Sequence, residues 1–181
     1  MNNSIYIAHN KPQFFIKGLR FLLFCGIIVI EKDNRRDSMA GTLIMMMGIQ
    51  GSGKSTFCRL FLTDEYERVD TLDQAISAIC GGTDIIFDAI NGSCTQRAAC
   101  ISAAKSAGCR VIGYYLDRAA EDCVASSKVP REQIYSALDA FEMPELDEGY
   151  DELYRVENDG EIMAICPWGE ENDELFDFDF T

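Results

Sequence analysis

Residues 48–56 read Gly-Ile-Gln-Gly-Ser-Gly-Lys-Ser-Thr, satisfying the pattern Gly-x-x-x-x-Gly-Lys-Ser. That spacing suits anion binding. Gly48, Gly51 and Gly53 let the backbone take conformations closed to other residues. The loop from Gly48 through Gln50, Ser52, Ser55 and Thr56 can then turn its N–H groups toward phosphate oxygens. It does so at a helix N-terminus, whose dipole favours negative charge. Lys54 is long enough to reach β- and γ-phosphates, and the Ser55 hydroxyl suits Mg²⁺. The expected ligands are ATP, or GTP by the same chemistry, and Mg²⁺. The bland alternative is a glycine-rich turn that holds nothing.

The elements that must position this loop stand on both sides of it. Residues 43–47 are Leu-Ile-Met-Met-Met, an apolar run of the right length for a buried strand. Residues 57–62 have the apolar spacing of a packed helix. Further strands are expected at 84–87, 111–116 and 153–156. Helices are expected at 54–62, 72–80, 95–107 and 131–141, with another candidate at 119–126. Strands alternating with helices predict an α/β protein: a three-layer P-loop NTPase fold with a mostly parallel sheet, a short lid and an acidic C-terminal tail. Gly81, Gly82 and Gly108 stand where helices must stop before the next strand.

Two aspartates follow from this layout. Asp88 ends the second expected strand beside the loop, the usual place for an acid that holds metal or water. Its alternative role is to cap the turn that runs into Asn91-Gly92, itself a strong turn signal. Asp70 lies past Glu67-Arg68-Val69 and before the helix at 72. There it could take the proton of an acceptor hydroxyl as that hydroxyl attacks a γ-phosphate. Equally, Asp70 or Thr71 is the N-cap of that helix.

A longer series of residues resembles a known family. Asp70-Thr71-Leu72, Phe87-Asp88-Ala89-Ile90-Asn91 and Arg97 resemble the kinase domain of polynucleotide 5′-hydroxyl kinases. So do Val129-Pro130-Arg131-Glu132-Gln133-Ile134, Phe141-Glu142-Met143-Pro144 and Glu148-Gly149-Tyr150. Zeta-toxin-like and AAA-type ATP-binding proteins share these motifs. The resemblance covers about residues 42–156. It implies transfer of the ATP γ-phosphate to a hydroxyl acceptor such as a nucleic-acid 5′ end, with Asp70 as general base. It makes Asp88 the strand-end acid of an Asp-x-Thr-Asn motif and Arg97 a substrate contact. On bland grounds Arg97 is a helix-surface salt bridge.

The sequence departs from the family in three places. Ile90 replaces the motif threonine, and Asp73 stands where a substrate-side arginine belongs. The lid segment 119–128 contains no arginine. Arg118, Lys128 and Arg131 flank it, and Lys128, directly before Val129-Pro130, is the favoured cation for the γ-phosphate. Lysine is a poor stand-in for a bidentate guanidinium. The alternative function is therefore a nucleotide-binding module or ATPase without kinase activity.

Composition sets the outer limits. The chain has 181 residues, enough for one domain with appendages: an extension over 1–38, a kinase-like domain over 39–158 and an acidic tail over 159–181. The net charge of -14 repels nucleic acid at long range, so a polynucleotide would need a local basic groove. Eight cysteines without a Cys-x-x-Cys pair, and one histidine, fit neither a disulfide framework nor a zinc site. Cys58, Cys80, Cys100 and Cys109 read as buried thiols of a reducing cytosol, hence a cytoplasmic protein. The apolar run 21–30 is too short to span a bilayer and lacks a small-x-small cleavage signal, so no stable membrane insertion is expected. A start of translation at Met39 is an alternative account of residues 1–38. The run Phe176-Asp-Phe-Asp-Phe180 is either an edge strand or, with its charge density, a disordered tail.

Overall fold

Thr42–Met47 (β4) is apolar on both faces, as a central parallel strand must be, and all but Thr42 are buried. In the computed structural model, residues 41–62, 66–160 and 163–169 are described together with three strands nearer the N-terminus. Around β4 lie Glu67–Val69 (β5), Ile85–Asp88 (β6), Arg110–Asp117 (β7), Glu152–Asn158 (β8) and Met163–Pro167 (β9). The sheet order is β5-β6-β4-β7-β8-β9, parallel except for the antiparallel β8–β9 pair. The glycine loop follows the central strand, and helices cover both faces. This is the three-layer α/β arrangement of P-loop NTPases.

Strand alternation divides the core. Ile44, Met46 and Ile86 face Phe57 and Cys58 of Lys54–Phe61 (α1). Leu43, Met45, Ile85 and Phe87 face the opposite layer. That layer is Leu72–Cys80 (α2), through Ala75 and Ile79, and Cys94–Ser106 (α3), through Cys100, Ile101 and Ala104. A small third cluster joins Ile49, just after β4, to Cys123 of Ala120–Ser126 (α4) and Ile134 of Arg131–Asp139 (α5). The loop region is thereby bolted to the lid segment.

Most expected elements appear within two residues of their predicted bounds. Strand β9 does not match expectation: residues 163–167, placed in the acidic tail, pair with β8 from Tyr154↔Pro167 to Asn158↔Met163. Trp168 then packs edge-on against Tyr115, with ring centroids 5.9 Å apart. Alternating burial of Ala164 and Cys166 outweighs the acidic surroundings there. The run at 176–180 lies outside the described residues. The apolar run 21–30, read as one segment, falls on two strands of an antiparallel meander: Gln13–Ile16 (β1), Leu19–Phe24 (β2) and Ile27–Lys32 (β3). Among the described residues no ladder joins it to the main sheet, and no helix is long and apolar enough to cross a membrane. Of the four thiols expected in the core, Cys58, Cys100 and Cys109 are buried and free, whereas Cys80 is exposed. Burial pushes the Cys58 and Cys100 thiols up to about 12, so they are inert.

Candidate functional site

The loop takes its shape from positive backbone angles: φ is 136° at Gly48, 85° at Gly51 and 101° at Gly53. At Gly51 the requirement is double, because a Cβ would also run into the Cys123 backbone of α4. Gly53 is the N-cap of α1 and supplies no side-chain acceptor, so the first N–H groups of the helix stay available to an anion. The far side of the loop is pinned. Arg118 donates from Nη1 to Gly51 O at 3.0 Å, and Asn158 donates from Nδ2 to Ser52 O at 2.7 Å. Gly48 N donates to Ile90 O at 3.1 Å. Ile90 thus serves the loop through its backbone.

Lys54 folds over the loop and donates to Gly48 O at 2.7 Å and Ile49 O at 2.9 Å. Burial holds its ammonium below the usual lysine range, and the nearby Asp88 carboxylate opposes that shift. The Ser52 side chain is fully buried and its hydroxyl has no partner, which leaves its backbone N–H as the group expected to face a ligand. Gln50 Oε1 is likewise buried without a partner. Thr56 accepts from Arg59 at 3.4 Å on the outer side of α1.

Across the loop, Ser55 Oγ lies 3.2 Å from Asp88 Oδ2. Ser55 lies in the first turn of α1 and Asp88 closes β6, and the two expected metal ligands stand side by side. Arg68 Nη2 donates to Ser55 Oγ at 2.7 Å and also to Asp88 Oδ2. Arg68 was not singled out from the sequence. The available signal was its place two residues before Asp70, since strand alternation puts i and i+2 on one face. The turn after β6 is tied by Asn91, not by Asp88. Asn91 is buried with φ 48°, and its Nδ2 donates to Met46 O at 2.7 Å and Phe87 O at 3.4 Å.

Asp70 is exposed one step beyond the Val69↔Phe87 pair, which sets it opposite Asp88 at the carboxyl ends of β5 and β6. The cap of α2 is Thr71, whose hydroxyl accepts from Gln74 N at 3.4 Å. The capping role open to either residue therefore falls to Thr71.

Arg97 requires a correction. Expected as a substrate contact or a surface salt bridge, it is fully buried. Its Nε and Nη2 grip both oxygens of Glu148 at 2.7 Å. The remaining N–H groups go to Asn91 O at 3.1 Å, Glu142 O at 2.8 Å and Met143 O at 3.3 Å. All five donors are engaged, leaving none for a substrate. The Phe-Glu-Met-Pro and Glu-Gly-Tyr motifs are therefore scaffolding gathered around one guanidinium.

The lid cations separate. Lys128 is exposed and has no hydrogen bond or ion pair among the described residues, whereas Arg118 reaches the loop itself. Beside Arg118 lies a cavity of about 320 Å³, bordered by Asp117, Ala119, Asp122, Asn158 and Asp159. Its carboxylates would repel phosphate but accept hydrogen bonds from the amines of a base. Burial raises the Asp117 carboxyl above its usual range, with Arg155 pulling the other way.

No protein-family model matches the chain, and no curated protein does. Among solved structures it is similar to Chaetomium thermophilum Kti12 in complex with ADP-AlF3, at 14% identity and a TM-score of 0.48, over 72% of this chain and 91% of that one. It is also similar to APE1195, at 16% identity and a TM-score of 0.40, over 60% of this chain and 82% of that one.

Proposed function

We propose that this protein binds ATP with Mg²⁺ and transfers its γ-phosphate to a hydroxyl acceptor, in the manner of polynucleotide 5′-hydroxyl kinases. The observation that carries this reading is the convergence of Lys54, Ser55, Asp88 and Asp70 on one edge of the parallel sheet, at the mouth of the glycine loop. Loop N–H groups and Lys54 would neutralise the phosphates, and the nucleoside would lie in the cavity beside Arg118. Ser55 Oγ and Asp88 Oδ2 form a pair of hard oxygen donors already shared by one cationic side chain, which suits Mg²⁺. When bound, that ion would offset charge on the β- and γ-phosphates. Asp70, exposed across from Asp88, would accept the acceptor hydroxyl's proton.

The test is single-turnover transfer from ATP to a panel of hydroxyl acceptors that includes 5′-hydroxyl oligonucleotides. Wild type should phosphorylate at least one acceptor, and Asp70→Asn should not. A second reading, nucleotide binding without transfer, is favoured by the exposed, arginine-free α4 segment. Tight ATP binding with no transfer to any acceptor would establish it in place of the kinase.

A further inference from the structure

The pair of oxygen donors assigned to Mg²⁺ carries a cation of its own. Arg68 Nη2 donates to Ser55 Oγ at 2.7 Å and to Asp88 Oδ2. The Asp88 side chain is only 7% exposed, whereas that of Arg68 is 42% exposed. The carboxylate is thus a nearly dry anion, and the guanidinium is a partly exposed arm reaching it from the next strand. Register explains the reach: Arg68↔Ile86 and Val69↔Phe87 are neighbours, so Arg68 and Asp88 project on the same face, two positions apart. A divalent ion and this guanidinium would need the same two oxygens.

We propose that Arg68 is a resident counter-cation of the Ser55–Asp88 pair, competing with the divalent metal for both oxygens and supplying positive charge there in its absence. The inference rests on the assignment of that pair to Mg²⁺. Two consequences follow. Metal entry must displace Arg68, so the free protein holds divalent ions weakly. Nucleotide can bind before metal, because the phosphates already meet Lys54 and Arg68. The chain lacks arginine in α4, and the displaced Arg68 is then a guanidinium already at the site, on the strand that leads into Asp70.

The experiment uses the full chain and two titrations. In the first, Mn²⁺ is added to nucleotide-free protein and followed by electron paramagnetic resonance. Arg68→Gln should bind Mn²⁺ roughly two- to fivefold tighter than wild type, the scale of a partly exposed ion pair. Arg68→Lys should fall nearer wild type, and Asp88→Ala added to Arg68→Gln should abolish the gain. In the second, ATP affinity is measured calorimetrically with Mg²⁺ and with EDTA. The affinity gained from Mg²⁺ should be larger in Arg68→Gln than in wild type, because metal-free binding has lost a cation. Equal Mn²⁺ affinity in wild type and Arg68→Gln overturns the proposal, as does a gain that survives Asp88→Ala. Failure of both proteins to bind ATP would sink the nucleotide reading separately, while the Mn²⁺ titration still judges Arg68.

Discussion

Along the carboxyl edge of the sheet, the glycine-loop side, which the proposed function assigns to phosphates, and the side of Asp70 and Lys128, which it assigns to an acceptor, are built differently. On the phosphate side the loop is held from outside at Gly48, Gly51 and Ser52, by Ile90, Arg118 and Asn158. Its shape is held by the protein itself, so a ligand binding there would meet little ordering cost. On the acceptor side, Asp70 and Lys128 are exposed and have no hydrogen bond or ion pair among the described residues. Under the proposed function, an acceptor would itself have to fix their positions. The difference teaches that one edge can hold its loop from several directions and leave the neighbouring strand end open to solvent.

The largest expected effect sharpens that contrast. Asp70→Asn should lower single-turnover transfer by about 10²–10⁴, the range for a lost general base, and change ATP affinity less than about twofold. An affinity loss as large as the rate loss would erase the distinction between the sides.

Next is the scaffold beneath both. Arg97→Ala should destabilise the protein by about 3–5 kcal/mol, because Glu148 is left buried without its partner. Arg97→Lys should recover little of this, since one ammonium cannot supply five directed donors. Denaturant unfolding measures both. If Arg97→Lys unfolds like wild type but no longer engages an acceptor, Arg97 belongs to the acceptor side after all.

Lys54→Ala breaks the phosphate side alone. ATP binding should weaken by about 1.5–3 kcal/mol, the worth of a charged hydrogen-bond donor, which calorimetry reads as roughly ten- to hundredfold. Unchanged affinity would remove the nucleotide reading.

The smallest effect is on pH. Burial lowers the Lys54 pKa, whereas bound phosphates favour the ammonium and raise it. Binding therefore takes up a proton when the pH lies between the free and bound values, and affinity falls as pH rises through that window. The fall should begin below the ordinary lysine value. Calorimetry in buffers of different ionisation enthalpy detects the uptake, and its absence throughout the alkaline range would show that Lys54 is not what phosphate meets.

How much of this was legible in the chain varied with distance along it. The loop, its strand and its helix are contiguous, and glycine spacing, apolar runs and a lysine at the helix start are local signals. Thr71 and Asp70 were also local, but the choice of which one caps α2 depended on which side chain reaches Gln74 N. Arg97 misled because its partners at 142, 143 and 148 lie 45 to 51 residues away. Strand β9 was hidden by its acidic neighbours, since pairing with β8 is settled by burial of Ala164 and Cys166 and not by average charge.

What the sequence by itself determined is the phosphate loop and the alternation of strands and helices around it, because backbone conformation and hydrophobic period are written residue by residue. Only the tertiary structure decided which charges meet. The register of β5 against β6 brings Arg68 onto Ser55 and Asp88, and the packing of α3 against the 142–148 segment encloses Arg97. Charge pairing over such separations depends on a few ångströms of register and packing, a scale that no local pattern of residues encodes.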